Sequence, residues 1–310
     1  MDKVAIIGGS GFIGSHLCDA LKHTYDVTCV DIVPPFSDEY NFYECDVTNL
    51  TDVKYFFDRS PQDIVIYLAA IHITAECEQF PDKAISVNIT GLANVLNTML
   101  HTGATKFLFP STTFVYQQFC HFHHKVDESA DISLAYDGMH TYSLSKYVGE
   151  HLIRNFHSMY YHQTPFEYCI FRFGTTYGDR CHPNVIKKFL QCGIQRSEMT
   201  ILGNSHNTRG FLYVSDHINA YICALASMTQ TKEFISGVYN CDGPRQTTIE
   251  QVAQLAIDIT GTHPQVGTYG ERINDYRGCL IDNSKSKEML GWEPNTYLPE
   301  GMKRLYKTLL

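Results

Sequence analysis

Lys3-Val-Ala-Ile-Ile-Gly8-Gly9-Ser10-Gly11-Phe12-Ile13-Gly14 opens the chain with an apolar run that breaks into glycines and then enters helical spacing. Val4–Ile7 reads as a buried strand, and Phe12, Ile13, Leu17 and Leu21 follow at helical intervals. The glycines stand at G-x-x-G-x-x-G. Gly8 permits a tight turn, Gly11 lets a pyrophosphate approach the backbone at a helix N-terminus, and Gly14 lets that helix pack close on the strand. Gly8, Gly11, Phe12, Ile13 and Gly14 are thus the expected cofactor loop. A second strand, Asp26-Val-Thr-Cys-Val30, ends in Asp31. An acid about 20 residues past such a loop binds the adenosine ribose hydroxyls and repels a 2′-phosphate, so NAD is expected over NADP.

The chain has 310 residues, enough for one large α/β domain or two lobes. Its first residues carry no basic-then-apolar leader, and no stretch reaches the ~18 apolar residues of a membrane span. A cytoplasmic protein with no membrane partner is expected. The formal net charge is −9 with no lysine or arginine block, which argues against nucleic-acid binding. The eleven cysteines are odd in number and scattered, and several (Cys29, Cys169, Cys223) sit in apolar runs. With no Cys-x-x-Cys pair, they read as reduced thiols. His121-Phe-His-His124 reads as a polar loop, because no second ligand cluster has suitable spacing. No metal is expected.

Strand signals at 3–8, 26–31, 41–45, 63–69, 105–110 and 166–172 alternate with helical segments near 12–22, 50–58, 81–102 and 140–161. This alternation predicts an α/β fold, a Rossmann-type doubly wound parallel sheet over 1–172, with ligands at the carboxyl ends of the strands. After residue 172, glycine and proline punctuate the chain, and helical stretches stand near 183–194, 215–228 and 248–260. A smaller mixed α/β substrate lobe is expected over 173–310, with 211–228 returning to the first domain.

Tyr142-Ser-Leu-Ser-Lys146 places a phenol and an ammonium at i and i+4, on one helix face. A phenol of ordinary pKa is a poor base at neutral pH. A nearby ammonium and the positive nicotinamide of NAD both favour phenolate, which suits Tyr142 to general-base work. Lys146 is also placed to hydrogen-bond the nicotinamide ribose. The strand Lys106-Phe-Leu-Phe-Pro110 ends in Ser111-Thr112-Thr113, hydroxyls at the ligand edge of the sheet.

With these three elements the sequence resembles the extended short-chain dehydrogenases/reductases, in particular the NAD-dependent nucleotide-sugar epimerases and dehydratases. The likeness runs on through Cys45-Asp46-Val47, Tyr67-Leu-Ala-Ala70 and Asn88-Ile-Thr-Gly91. It includes Phe171-Arg172-Phe173-Gly174 with Tyr177-Gly178, and Thr208-Arg209-Gly-Phe-Leu-Tyr-Val-Ser-Asp216. Tyr239-Asn240 and Asp282-Asn-Ser-Lys285…Leu290-Gly-Trp-Glu-Pro294 complete it. The resemblance implies that Asp46 and Val47 meet the adenine and that Ala69 and Ala70 lie along the cofactor. It implies catalytic roles for Thr112, Tyr142 and Lys146, and leaves Asn88 open between structural and catalytic. Arg209 resembles the arginine that binds the nucleotide diphosphate, and Arg272 or Arg277 offers a second contact. The family often forms homodimers through helices that here span 81–102 and 140–161, for which Leu92, Val95, Leu96 and Met99 are available, although they suit the core of the chain itself equally well.

Departures from the family pattern narrow the chemistry. Family dehydratases carry an Asp-Glu pair directly after the catalytic threonine, and decarboxylases keep a glutamate; here stand Thr113 and Phe114. Epimerisation needs no extra acid or base, so it is favoured by elimination, with a UDP-sugar inverted at C4. A ketoreductase, a dehydratase, or an NAD-binding regulatory protein without turnover are the alternatives. Thr175 replaces the usual asparagine beside the diphosphate, and Gln117 the usual glycine after Val-Tyr. The substrate expected is a nucleotide-diphosphate sugar.

Overall fold

The computed structural model describes residues 1–120, 125–133, 139–160, 165–230, 234–270 and 275–310. The chain divides into two compact units. One comprises Met1–Val115, His140–Arg172 and Tyr221–Tyr239; the other comprises Tyr116–Met139, Phe173–Ala220 and Asn240–Leu310.

The first unit alternates strand and helix: β1 (Lys3–Ile7), α1 (Phe12–Leu21), β2 (Asp26–Asp31), β3 (Asn41–Glu44), α2 (Leu50–Arg59) and β4 (Ile64–Tyr67). Then come α3 (Thr74–Gln79), α4 (Pro81–Ile85), a π-helical turn (Ser86–Gly91), α5 (Leu92–His101), β5 (Lys106–Thr112), a 3-10 turn (Thr113–Phe119), α6 (Thr141–Tyr160) and β6 (Glu167–Phe173). The Asn49 side chain caps α2 by accepting from the Thr51 amide. A seven-stranded sheet is ordered β10-β6-β5-β4-β1-β2-β3, where β10 is Gly237–Cys241. The pairings β1–β2, β1–β4, β2–β3 and β4–β5 are parallel. The strand order reverses at β1, so the carboxyl ends of β1 and β4 flank the crevice where doubly wound sheets bind ligands. Val4, Ala5, Ile6, Ile64, Val65 and Ile66 are all fully buried, as strands covered on both faces require.

The helix expected over 81–102 is interrupted. α4 passes into the π turn before α5 begins. Gly91 closes that turn where any Cβ would come within 2.7 Å of Val47 Cγ2 and 2.8 Å of Tyr67 Oη. The Tyr67 hydroxyl in turn donates to the Val87 carbonyl at 2.9 Å. The strand expected over 105–110 runs on to Thr112. Leu92, Val95, Leu96 and Met99 are at most 2 % exposed and belong to the core beneath the sheet, so they are not available for dimerisation.

In the second unit, β9 (Thr208–Tyr213) pairs in parallel with β7 (Thr175–Tyr177) and antiparallel with β11 (Gln246–Thr248), and β8 (Met199–Leu202) pairs with β12 (Val266–Tyr269). α7 (Val185–Gln195), α9 (Ile249–Thr260) and α11 (Leu298–Leu309) surround a core built on Tyr177, Phe189, Met199, Phe211, Leu298 and Met302. α8 (Val214–Gln230) begins in this unit and ends in the first. α10 (Ser284–Leu290) leads to Trp292, whose indole donates to the Asp216 carbonyl at 2.9 Å. α10 and α11 and the five short strands were not read from the sequence.

Among the described residues, no helix is long and apolar enough to cross a membrane. None of their His, Cys, Asp and Glu side chains form a group suited to a metal ion. His121–His124 lie outside the described residues.

Candidate active site

The glycine loop joins β1 to α1 at the switch point. Gly8 has φ +86°, a left-handed conformation that favours glycine, and its amide donates to the Val30 carbonyl at 2.8 Å. A Cβ there would come 2.6 Å from the Ala69 amide. Gly14 is closed in differently from expectation. Its Cβ would meet Gly8 O at 2.2 Å and Gly9 Cα at 2.6 Å, so it packs on the loop, not on the strand. Contact with the strand belongs to Gly9, whose Cβ would press on Cys29 Sγ at 2.6 Å. Gly11 caps α1 with no side-chain hydrogen bond, and no acid lies in the first turn. The amides at Phe12 and Ile13 therefore face no competing carboxylate at the positive end of the helix.

Asp31 stands at the end of β2 beside the loop. Its Oδ2 accepts from the Ser10 amide at 3.0 Å, and its Oδ1 accepts from the amides of Ile32 and Val33 at 2.7 and 3.3 Å. Three of about four acceptor sites of the carboxylate are thus filled, which fixes its orientation. Asp46 is exposed, and its Oδ1 accepts from the amide and hydroxyl of Thr48. Val47 is buried, with its carbonyl held by Asn94 Nδ2 at 2.9 Å. Ala69 follows β4, and its amide donates to the Ile7 carbonyl at 3.0 Å; Ala70 comes next, also half-buried.

β5 and α6 carry the other chemistry of this unit. Thr112, 6 % exposed, ends β5, and its Oγ1 accepts from the Phe114 amide at 3.2 Å, which leaves its own proton to donate. Tyr142 and Lys146 lie one turn apart at the start of α6. Glu78 of α3 caps that helix by accepting from the Thr141 amide at 2.7 Å. Lys146 Nζ lies 4.7 Å above the Phe109 ring and 6.0 Å from the Tyr142 ring. The Asn88 side chain is buried and hydrogen-bonded through both its oxygen and its nitrogen. Its Oδ1 accepts from the Ile71 amide, and its Nδ2 donates to the Ile71 carbonyl and to Ser145 Oγ. Ser145 in turn donates to the Tyr142 carbonyl at 2.7 Å. The π turn that carries Asn88 therefore ties the segment after β4 to the first turn of α6.

The electrostatics of this pair differ from the sequence expectation. Burial pushes the Tyr142 phenol above its usual range, and the Cys77 thiol adds to the shift. Burial pulls the Lys146 ammonium down to about 7. In the protein alone, desolvation favours the neutral form of both groups.

Sequence reading missed Glu150, and it gave no partner to Ser111, quoted among the strand-end hydroxyls, or to Arg172, quoted within a matching motif. Glu150, on α6 one turn after Lys146, accepts from Ser111 Oγ at 2.5 Å and from Arg172 at two points. For Glu150 the sequence signal was a lone Glu at Lys146+4.

In the second unit, Arg209 is 8 % exposed. Its guanidinium donates to the carbonyls of Thr208 and Tyr276 at 2.7 and 2.5 Å, lies 4.9 Å over the Tyr276 ring, and stands 3.5 Å from Asp275 Oδ1. Arg277 is exposed in the same segment, and its carbonyl accepts from the Thr208 amide at 3.0 Å. Thr175 starts β7, and its buried Oγ1 has no hydrogen-bond partner. Arg272 lies outside the described residues. The structure thus gathers Arg209, Tyr276 and Arg277 in one unit, and Thr112, Tyr142 and Lys146 in the other.

The model of the NAD dependent epimerase/dehydratase family matches residues 4–241. The chain belongs to that family. The crystal structure of a UDP-glucose 4-epimerase with UDP-glucose from Thermotoga maritima is similar with a TM-score of 0.89 and 26 % identity, covering 99 % of this chain and 98 % of that one. A variant of the UDP-glucuronic acid 4-epimerase from Bacillus cereus, in complex with UDP-4-deoxy-4-fluoro-glucuronic acid and NAD, gives 0.86 at 26 % identity, covering 99 % of this chain and 100 % of that one. UDP-glucuronic acid decarboxylase 1 of Xenopus tropicalis is 26 % identical over 97 % of this chain and 70 % of its own length. Family membership accounts for the fold and the parallel sheet. Its members named here divide between epimerases and a decarboxylase.

Proposed function

We propose that this chain is an NAD-dependent epimerase of a nucleotide-diphosphate sugar, inverting C4 of a UDP-sugar through a transient 4-keto intermediate. The observation that carries the reading is Thr112 at the end of β5 with Tyr142 and Lys146 on α6, and Phe114 where dehydration would need an acid. The similar 4-epimerases support the same reading.

The residues fit NAD. The cradle leaves no room for side chains at Gly8 and Gly14, Gly11 bares the backbone at the N-terminus of α1, and the Asp31 carboxylate suits ribose hydroxyls. Gly8, Gly11, Phe12, Ile13 and Gly14 hold the pyrophosphate. Asp31, Asp46, Val47, Ala69 and Ala70 hold the adenosine side and the ribose. When bound, NAD accepts a hydride from the sugar carbon and supplies it again.

Thr112 orients the 4-hydroxyl by a hydrogen bond. Tyr142 removes its proton while the carbon is oxidised, and returns a proton when the ketone is reduced on the other face. Lys146 holds the ribose and, when protonated, stabilises the phenolate. Tyr142, desolvated in the protein, would be drawn toward phenolate by the positive charge of a nicotinamide bound beside it. Arg209, Arg277, Arg272 and Thr175 bind the nucleotide diphosphate. The first unit is the cofactor domain and the second the substrate lobe.

We assign the chain to the cytoplasm as a homodimer, paired through faces that carry Ile85 and Leu144, which are 48 % and 42 % exposed. Light scattering that finds a monomer at micromolar concentration contradicts the dimer.

The test is incubation of purified protein with UDP-, dTDP- and GDP-sugars without added cofactor, followed by mass spectrometry of the nucleotides released on denaturation. Interconversion of one epimer pair and release of NAD support the reading. Net consumption of NADH favours a ketoreductase, and tight NAD with no turnover favours a regulatory protein of the same fold.

A further inference from the structure

Cys120 and Cys279 are far apart in sequence, yet their sulfurs approach to 3.1 Å. Cys120 follows the 3-10 turn that ends at Phe119. Cys279 lies on the segment that pairs with Val126, through the Val126 amide to the Leu280 carbonyl at 2.7 Å and the Asp282 amide to the Val126 carbonyl at 2.9 Å. The Cys279 thiol donates to the Tyr116 carbonyl at 3.2 Å. The two cysteines are inequivalent. Cys120 is partly exposed and Cys279 is 3 % exposed. The Cys279 thiol beside Cys120 Sγ does most to lower its pKa, against burial, and the backbone amides of Gly278 and Arg277 and the Arg209 charge act in the same direction. Amide donors and a nearby guanidinium favour thiolate, the reactive form of cysteine.

A second pair makes the contrast. Cys18 and Cys29 also hydrogen-bond, but both are fully buried, so no soluble oxidant reaches them. Of the two pairs, only Cys120 with Cys279 joins a partly exposed cysteine to a buried one beside it. That is the arrangement of an attacking and a resolving thiol.

We propose that Cys120 and Cys279 form a peroxide-reactive dithiol site, whose oxidation to a disulfide weakens the hold of the Arg209 segment on a nucleotide diphosphate. The Cys120 thiolate attacks one oxygen of a hydroperoxide. The O–O bond breaks, Cys120 becomes a sulfenic acid, and with hydrogen peroxide the departing hydroxide takes a proton and leaves as water. The Cys279 sulfur then attacks the Cys120 sulfur. The S–O bond breaks, and hydroxide leaves as a second water with the Cys279 proton. Two thiols lose two electrons, and one peroxide is reduced to two waters. The sulfurs must close by about 1 Å to reach bonding distance. That movement draws on the segment holding Asp275 and Tyr276, the partners of Arg209, and Arg277 itself. The thiol chemistry stands on its own geometry; the choice of ligand rests on the proposed function.

The test treats the purified protein with equimolar hydrogen peroxide, blocks remaining thiols with N-ethylmaleimide, and maps cross-linked peptides by mass spectrometry. Calorimetry then compares UDP affinity before and after. The expected result is a Cys120–Cys279 peptide as the principal cross-link, with UDP bound about tenfold more weakly until dithiothreitol restores it. Cys279→Ser gives no cross-link and leaves a sulfenic acid on Cys120 that dimedone traps. Oxidation of Cys192 or Cys223 with Cys120 and Cys279 left unlinked overturns the proposal, as does a disulfide that leaves UDP affinity unchanged. Failure of the reduced protein to bind UDP counts instead against the proposed function and the choice of ligand, and the peptide map still decides the dithiol site.

Discussion

Arg172 holds Glu150 at two points, Nε to Oε1 at 2.9 Å and Nη2 to Oε2 at 2.6 Å, with both side chains out of solvent. Ser111, next to Thr112, donates to the same carboxylate, and Arg154 adds a contact from one turn along α6. One buried carboxylate thereby joins the end of β5, the helix that carries Tyr142 and Lys146, and the end of β6. That carboxylate links the elements that carry the residues proposed for catalysis.

Removing Arg172 leaves the buried Glu150 carboxylate with only the partly exposed Arg154 to offset its charge. Arg172→Met is therefore expected to lower stability by about 3–5 kcal/mol. Replacing both, Glu150→Leu with Arg172→Met, is expected to recover most of the loss, because no buried charge remains. Denaturant unfolding of the three proteins checks the order. A single variant as stable as the parent contradicts the account.

Tyr142→Phe keeps the ring and removes only the hydroxyl. Turnover is expected to fall by about a hundred- to ten-thousand-fold, the usual range for a lost general base. NAD is expected to remain bound, since the loop that holds it is untouched. Initial rates and cofactor release, measured on the same preparation, separate the two effects.

The glycines of the loop give a paired test. A Cβ on Gly14 meets backbone at 2.2 Å, whereas a Cβ on Gly11 meets only Gly8 O at 3.3 Å. Gly14→Ala is expected to cost about 1–3 kcal/mol of stability by overpacking, with or without cofactor. Gly11→Ala is expected to fold nearly as stably as the parent without NAD, and to lose NAD because the methyl stands where the pyrophosphate approaches. Thermal melts with and without NAD distinguish them.

Burial holds the Lys146 ammonium down to about 7, against 10.5 for an unperturbed lysine. Between these values the unfolded chain binds the proton that the folded chain has released, so stability rises with pH. The rise should begin near pH 7 in the protein without NAD and vanish in Lys146→Met. A difference in unfolding free energy between the two proteins that does not change from pH 7 to 10 contradicts the assignment.

The strand-loop-helix at 3–21, Asp31, the hydroxyl strand end and the Tyr142/Lys146 pair were legible because each is a local pattern with a fixed period or spacing. Other features depend on partners distant in sequence. Glu150 meets Ser111 39 residues away and Arg172 22 residues away. Arg209 finds Tyr276 67 residues on. The π turn around Asn88 was invisible because its residues suit an ordinary helix, and it is set by the close approach of Gly91 to Val47 and Tyr67. Leu92, Val95, Leu96 and Met99 show the limit of periodicity, which marks an apolar face without saying what covers it. The short strands β7, β8, β11 and β12, with three or four residues each, carry too few positions for alternation to register.

The central claim is that one tightly held NAD takes a hydride from a nucleotide sugar and gives it back to the opposite face. A UDP-sugar labelled with deuterium at C4, incubated with the protein in ordinary water and followed by NMR, tests it directly. The account predicts inversion at C4 with the deuterium retained at that carbon and no net change in NADH absorbance. Loss of the label to solvent, or stoichiometric oxidation of NADH, would contradict it.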